Sequence, residues 1–465
     1  MTSVSGRRGR PIARPRPPQV PRVWGTRPSD LIAVVGFNAV LIVGMWVRHG
    51  GLQLLGSTSA NFTALGELTA LLGTYAALVQ IVLMSRSPWL ERRFGMDRLA
   101  HWHRWLGFST VILICAHVVL TTVGYALGDG KSVAAETSTL LTTYPYVLMA
   151  TVATVMLIVI AVTSVRMARR RLRYETWQFI HLYGYLAIAL AFGHELAVGT
   201  DLSTDRVAQV YWVALYAVVI LCVLTFRVGA PLRMSVRHRL RISNIVHEGP
   251  GVVSLYLTGR HLDQLRTRAG QYFTWRFLAK DSWWRPHPFS LSAAPNGRFL
   301  RITVKNVGEG TGDVHRLTPG TRVALEGPYG VFTTLRRQHP RALLIAGGIG
   351  ITPLRALLEE LPGGKGAVTL LYRASSWEDV IFRTELEQIA KARQTKLHFL
   401  VGRRGSPDLP EDPFSPRTLR QLVPDVDRRD VFICGPSLMM ERVSTTLVRM
   451  GVPRSHIHYE RFALL

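Results

Sequence analysis

The chain has 465 residues, enough for two to four domains. Hydrophobic residues make up 48% and several apolar runs are long enough to cross a bilayer, which excludes a wholly water-soluble chain. The formal net charge is +26, mostly Arg clustered at the ends of the apolar runs. That placement suits contact with a lipid bilayer and excludes nucleic acid, which calls for a basic patch interleaved with aromatics.

Residues 1–24 are rich in Arg and Pro, lack apolar periodicity, and read as a disordered basic cytoplasmic tail. Six apolar runs follow, near 31–47, 62–84, 104–127, 145–165, 177–197 and 207–226. A signal peptide cleaved before Ala60 is the rival reading of the first run; the run's length and the five that follow oppose it. Arg86, Arg92, Arg93 and Arg98 mark the second loop. Arg166, Arg169, Arg170, Arg171 and Arg173 mark the fourth, and Arg227, Arg233, Arg237 and Arg239 follow the sixth run. The other loops carry little beyond Arg48, Lys131 and Arg206. The positive-inside rule then predicts a plasma (cytoplasmic) membrane protein with both termini and the C-terminal half in the cytoplasm. It also makes the third and fifth spans parallel, both running outward.

Those two spans carry four histidines. His103 and His117 lie fourteen residues apart in the third, and His181 and His194 thirteen apart in the fifth. Each pair is separated by roughly 19–21 Å along its helix, about two thirds of a ~30 Å hydrocarbon core. Parallel helices set His103 opposite His181 and His117 opposite His194, and each facing pair can ligate one haem iron through two axial imidazoles. Interior histidines hydrogen-bonded to neighbours are the plain alternative, and His101 can displace His103 in the assignment. At 100° per residue the two histidines differ by about 40° around the third helix but about 140° around the fifth. The fifth must therefore bend or unwind near Gly184 and Gly193, or carry its haems on different sides. Cys115, Cys222 and Cys434 form no disulfide framework or CxxC motif.

After Arg233, short alternating runs at 252–257, 271–276, 299–304 and 322–325 predict an antiparallel β-barrel over 234–338. From 339, strands at 342–346, 367–372, 397–401 and 431–434 alternate with helices near 352–361, 383–392 and 437–450, with a further short helix near 416–423. That is the pattern of a parallel, doubly wound α/β sheet. The expected architecture is therefore a tail (1–24), a six-helix transmembrane bundle (25–230), a β-barrel (234–338) and an α/β nucleotide-binding domain (339–465).

The strand at 342–346 runs into Gly347-Gly348-Ile349-Gly350-Ile351-Thr352-Pro353 and then a helix. Glycines there let the backbone approach a pyrophosphate, the helix N-terminus favours its charge, and Pro353 suits the first turn. At the end of the next strand an acidic residue would bind a ribose hydroxyl and a basic one a 2′-phosphate. Arg373 and Ser375 favour NADPH, with Glu378 and Asp379 close by.

The barrel carries His287-Pro288-Phe289-Ser290-Leu291-Ser292, then Gly308-Glu309-Gly310-Thr311-Gly312 and Gly327-Pro328-Tyr329-Gly330. With the Gly-rich turn and Cys434-Gly435-Pro436, these resemble, in order, the ferredoxin–NADP reductase superfamily. With the six spans and four histidines, the chain resembles the ferric reductase and NADPH oxidase family of transmembrane flavocytochromes. The resemblance implies FAD in the barrel, NADPH in the last domain and two b-type haems in the membrane. It implies that His287, Pro288, Phe289 and Ser290 line the isoalloxazine ring, with Gly310 and Thr311 near the FAD phosphates. Cys434 would face the nicotinamide and Phe462, near the end of the chain, would shield the flavin. An EF-hand loop, present in some oxidase relatives, is not seen in the sequence.

NADPH gives up two electrons as hydride and haem iron takes one at a time, so a flavin belongs between them. The expected function is electron transfer from cytosolic NADPH outward, to oxygen with superoxide as product, or to a ferric chelate or another acceptor. Arg48, His49 and Arg206, at the outer ends of spans, are the cations available to stabilise superoxide. A proton or ion pathway with a regulatory nucleotide domain is the rival of another class. The Leu, Ile, Ala and Val between the histidines oppose it, as the complete flavin and nucleotide motifs oppose an inert scaffold.

Overall fold

The computed structural model describes residues 28–53, 55–165, 172, 174–199, 205–280, 283–402 and 412–460. The basic tail, the arginines of the fourth loop and Phe462 lie outside them. The membrane half comprises α1 (Pro28–Arg48), α2 (Thr58–Leu83), α3 (Pro88–Phe94), α4 (Met96–Asp129), α5 (Val133–Thr143), α6 (Val147–Ser164), α7 (Tyr174–Val198) and α8 (Arg206–Val223). Among the described residues six helices are long and apolar enough to cross a membrane; α3 and α5 are short connectors. Outward-facing Ile112, Val119 and Leu221 are more than half exposed, a surface that suits lipid.

Small residues let two of these helices approach closely. A Cβ on Gly66 of α2 would lie 2.6 Å from Thr121 Oγ1 of α4, and one on Gly73 would lie 2.9 Å from Ile114 Cδ1. Gly124 of α4 packs on Thr63 in the same way. This close approach also brings the Gly66 carbonyl within hydrogen-bonding distance of His117.

The sixth span does not end near 226. It passes through a π-helical turn, Leu224–Gly229, into α9 (Ala230–His238). Pro231 has no N–H to donate, and a widened turn just before it is one way a helix absorbs that loss. Residues 234–238, expected to open the barrel, are instead the end of this helix, and Met234 packs against the barrel core.

The barrel comprises β1 (Leu240–Gly249), β2 (Val252–Thr258), β3 (Tyr272–Phe277), β4 (His287–Ser290), β5 (Leu300–Lys305) and β6 (Arg322–Tyr329), with α10 (Glu309–His315) after β5. The strand order is β4-β3-β6-β1-β2-β5, paired antiparallel throughout. A bridge between Leu291 and Ile302 joins the edges and closes the sheet around Leu255, Phe273, Trp275 and Ile302. Two strands were not anticipated. β1 is mostly polar and changes register between Ile242 and Asn244, and β4 has only four residues, one of them Pro288.

The last domain comprises β7 (Ala342–Gly347), α11 (Ile351–Glu360), β8 (Val368–Ala374), α12 (Arg383–Arg393), β9 (Lys396–Val401), α13 (Pro416–Leu422), β10 (Asp430–Cys434), α14 (Ser437–Arg449) and β11 (Ile457–Glu460). Its sheet is parallel in the order β11-β10-β7-β8-β9. Strand order reverses at β7, which puts a crevice at the C-terminal ends of β7 and β10.

Charged contacts tie the barrel to the membrane half. Arg86 Nε stands 3.3 Å from Glu326 Oε1, and its Nη1 donates to Thr274 Oγ1 at 3.2 Å. Glu91 of α3 accepts from the Gly330 N–H at 3.2 Å and from the Tyr272 hydroxyl at 3.4 Å. Arg285, just before β4, reaches Glu175 at the start of α7 at 3.9 Å. The connector after α2 and the first turn of α7 therefore face the barrel.

Candidate functional site

His103 and His181 meet at the barrel end of α4 and α7, with ring centroids 5.8 Å apart and planes crossed at 70°. Two imidazoles on one metal at about 2 Å per bond place their centroids about 6 Å apart, so the two rings could hold one metal between them. His103 Nδ1 lies 3.2 Å from the Gln80 carbonyl, and His117 Nδ1 2.9 Å from that of Gly66. A carbonyl partner makes Nδ1 the protonated nitrogen and leaves the Nε2 lone pair for a metal. His181 Nδ1 lies 3.5 Å from Ser164 Oγ, and its ring stacks on Trp177. His117 is within electrostatic reach of His194, whose buried Nδ1 has no hydrogen-bond partner among the described residues. His101 instead accepts the Trp105 indole N–H at 3.1 Å and is exposed, so His103 is the one that faces α7. α7 is an uninterrupted α-helix, so it does not unwind at Gly184 or Gly193.

In the barrel, His287 is buried and its Nε2 lacks a partner among the described residues, an orphaned polar atom of the kind a ligand satisfies. Burial pushes its pKa down to about 4, against the pull of Asp313, so the ring is neutral at physiological pH. It stacks on Phe289 at 5.7 Å and 10°, while Pro288 is exposed and Ser290 buried. A Cβ on Gly310 would lie 4.0 Å from His287 Cε1, so the two barrel motifs meet. Thr311 closes its own turn, accepting from the Val307 N–H at 2.8 Å and donating to the Gly308 carbonyl at 3.0 Å.

The crevice of the α/β domain is a cleft of about 390 Å³ lined by Gly347, Gly348, Arg373, Ser375, Phe414, Pro436 and Arg442, among others. Most of the glycines there serve a purpose other than the one expected. A Cβ on Gly350 would lie 2.2 Å from the Cys434 carbonyl oxygen, one on Gly347 2.9 Å from Pro436 Cδ, and one on Gly435 3.0 Å from Gly347 Cα. They let the two loops pack against each other. Gly348, at φ +53° with nothing near its Cβ position, is the one whose backbone is open to a ligand. Thr352 and Pro353 are buried in the first turn of α11, where the threonine hydroxyl donates to the Ile349 carbonyl at 2.9 Å. Cys434 is buried and its thiol donates to the Glu460 carbonyl at 3.4 Å; burial raises its pKa well above the ordinary value.

Arg373 Nη1 donates to the carbonyls of Ala374 and, at 3.1 Å, Leu400. Lys305 and Asp379 pair across the cleft at 3.4 Å. Sequence reasoning missed Phe414 and Arg442. The available signal was the spacing of Leu438, Arg442 and Thr446, one face of the helix after Cys434-Gly435-Pro436. At the opposite end of the membrane bundle, Arg48 and His49 both contact Asp205, His49 at 2.5 Å. They were expected as cations available to superoxide and instead share one carboxylate, whose pKa His49 and Arg48 help to hold down at about 2.

The fold and the sites define an NAD(P)H-dependent oxidoreductase: a flavin-binding barrel and a nucleotide-binding sheet attached to a membrane bundle. Residues 69–192 match the ferric reductase like transmembrane component family, 246–333 the FAD-binding domain family and 344–445 the oxidoreductase NAD-binding domain family. The chain is 35% identical over 193 residues to ferredoxin–NADP reductase B of Sorangium cellulosum, covering 37% of this chain and 77% of that one. It is 30% identical over 203 residues to a flavohemoprotein of Vibrio cholerae, covering 42% of this chain and half the length of that one. The flavohem-like FAD/NAD-binding domain of nitric oxide dioxygenase from Vibrio cholerae matches at a TM-score of 0.42 and 27% identity, over 48% of this chain and 98% of that one. The reductase half of the chain belongs to the ferredoxin–NADP reductase family, and the membrane half carries a ferric reductase like transmembrane component.

Proposed function

We propose that the protein carries electrons from cytosolic NADPH through FAD and two bis-histidine b-type haems to an acceptor outside the cytoplasmic membrane, with oxygen reduced to superoxide as the favoured reaction. The observation that carries this reading is the crossing of His103 and His181 at 5.8 Å beside the barrel, with the His103 Nδ1 bonded to a carbonyl. FAD, when bound, accepts hydride and passes on single electrons, and the haems carry these across the bilayer. His287, Phe289 and Ser290 hold the flavin on the barrel, with Gly310 and Thr311 beside them. Gly348 admits the pyrophosphate, and Arg373 and Ser375 read the 2′-phosphate. Cys434 and Pro436 border the nicotinamide, and Phe462 shields the flavin. The basic loops put the barrel side in the cytoplasm. His117 and His194 would together hold the outer haem, leaving its edge as the place where it could pass an electron to oxygen. A ferric chelate can use the same edge, so ferric-chelate reduction is the second reading.

The absorption spectrum of the purified protein, before and after NADPH, tests this. Two low-spin b-type haems per chain are expected, reducible by NADPH. His117→Leu should remove one haem and leave NADPH-to-flavin transfer intact. Protein devoid of haem points to the proton-pathway reading instead.

A further inference from the structure

The four interior histidines are held in three different ways. His103 and His117 each point Nδ1 at a backbone carbonyl, Gln80 at 3.2 Å and Gly66 at 2.9 Å, and Thr121 Oγ1 also stands 3.1 Å from the His117 Nδ1. His194 Nδ1 is buried without a partner among the described residues. His181 has a side-chain arrangement of its own. The Trp177 indole N–H donates to Ser164 Oγ at 3.2 Å, and Ser164 Oγ stands 3.5 Å from His181 Nδ1. Trp177, one helical turn before His181, also stacks on the imidazole with centroids 5.0 Å apart and planes at 26°. Ser164 ends α6, so two neighbouring helices grip one ring, through its face and through its edge.

From this we infer that Trp177 and Ser164 are positioning residues that lock the His181 imidazole crosswise to His103 and lower the potential of the inner haem. The inference rests on the bis-histidine reading above. Stacking stops the ring from turning about its Cβ–Cγ bond, and the hydroxyl lies at the edge that carries Nδ1. With Nε2 engaged by an iron, Nδ1 would carry the proton, and the serine oxygen 3.5 Å away would accept it and make Nε2 a stronger donor. Stronger donation favours ferric over ferrous iron, so the potential falls. The crossing angle has its own signature. Bis-imidazole ferric haems with near-perpendicular rings give a strongly anisotropic low-spin resonance, whereas near-parallel rings give a rhombic one. The 70° between His103 and His181 belongs to the first kind.

The experiment is electron paramagnetic resonance together with spectroelectrochemical titration of the full chain in nanodiscs. The variants are Ser164→Ala, Ser164→Thr and Trp177→Phe. Wild type should show an anisotropic signal for the inner haem. Ser164→Ala should shift that signal towards the rhombic form and raise the inner midpoint potential, with the outer haem unchanged. Trp177→Phe keeps a stacking ring but loses the indole N–H, so it should shift in the same direction by less. Ser164→Thr keeps the hydroxyl and should restore both readouts. Loss of the inner haem from Ser164→Ala with retention in Ser164→Thr supports the same assignment. It is overturned if all variants keep both signals and both potentials, or if all three lose the inner haem alike. Wild-type protein without haem would instead fail the parent reading, a distinct outcome.

Discussion

Arg373 illustrates how much a single residue's role depends on what it already touches. Its guanidinium rests on the carbonyls of Ala374 and Leu400 at the C-terminal edge of the sheet, yet it lines the nucleotide cleft with Ser375. A 2′-phosphate is a stronger acceptor than a neutral carbonyl, so on the proposed reading the side chain would exchange partners on binding NADPH. Arg373→Ala should weaken NADPH binding by ~1.5–3 kcal/mol, raising its KM by roughly tenfold or more, with little change for NADH. Steady-state kinetics with both coenzymes measures this, and equal rises for the two would remove Arg373 from phosphate recognition. Arg442 reaches the same cleft from α14, so the double variant Arg373→Ala/Arg442→Ala should lose more than either single one.

The short helix α3 has a larger part than its seven residues suggest. It presents Glu91, 2% exposed, to the barrel, where Tyr272 and Gly330 donate to one carboxylate oxygen while the other has no partner among the described residues. Burial raises the Glu91 pKa from 4.5 to about 7, against the opposing pull of Arg86. Arg86 itself is taken up by Glu326 and lies over the Tyr329 ring. Because the docked carboxyl binds its proton more tightly than the free one, the junction is firmest below about pH 4.5 and weakens as pH rises to about 7. The shift corresponds to about 3 kcal/mol at most. Thermal melting of the full protein at pH 5.5 and pH 8 should show a lower Tm at the higher pH, and Glu91→Gln should remove most of that difference. An unchanged difference in Glu91→Gln would place the pH response elsewhere.

At the scale of the molecule, sheet, barrel and paired histidines lie in the order that electron flow from a nucleotide to the far side of a membrane requires. The continuous helix from α8 through α9 joins barrel to bundle without a flexible linker, and Arg86, Glu91 and Arg285 brace it. Asp205 offsets part of the positive charge of Arg48 and His49, so on the proposed reading superoxide would meet less positive charge than the sequence suggests. Oxygen should nevertheless support NADPH consumption, measured with and without oxygen and with dye reduction sensitive to superoxide dismutase. Turnover that requires added ferric chelate and continues unchanged without oxygen would make the protein a ferric-chelate reductase.

What could be read before folding was periodic or local in chemistry. Apolar runs of membrane length, arginines at alternate loops, alternating strands and the Gly-rich turn are properties of neighbouring residues, and the corresponding elements lie close to where the residues put them. β1 and β4 were illegible because their hydrogen bonds go to distant partners, Thr258 and Val323 for one and Tyr272 for the other, while their own residues are polar or include proline. The continuation of the sixth span past Pro231 was hidden because proline ordinarily ends a helix, whereas here it falls in the first turn of α9, and Met234 further on packs against the barrel. Composition likewise says that Gly347, Gly350 and Gly435 are needed, but only the meeting of two loops 85 or more residues apart reveals that they serve each other. The same holds for the histidines: their spacing is sequence, whereas the partners that distinguish one from another, Gln80, Gly66, Ser164 and Trp177, come mostly from other helices and exist only once the bundle has packed.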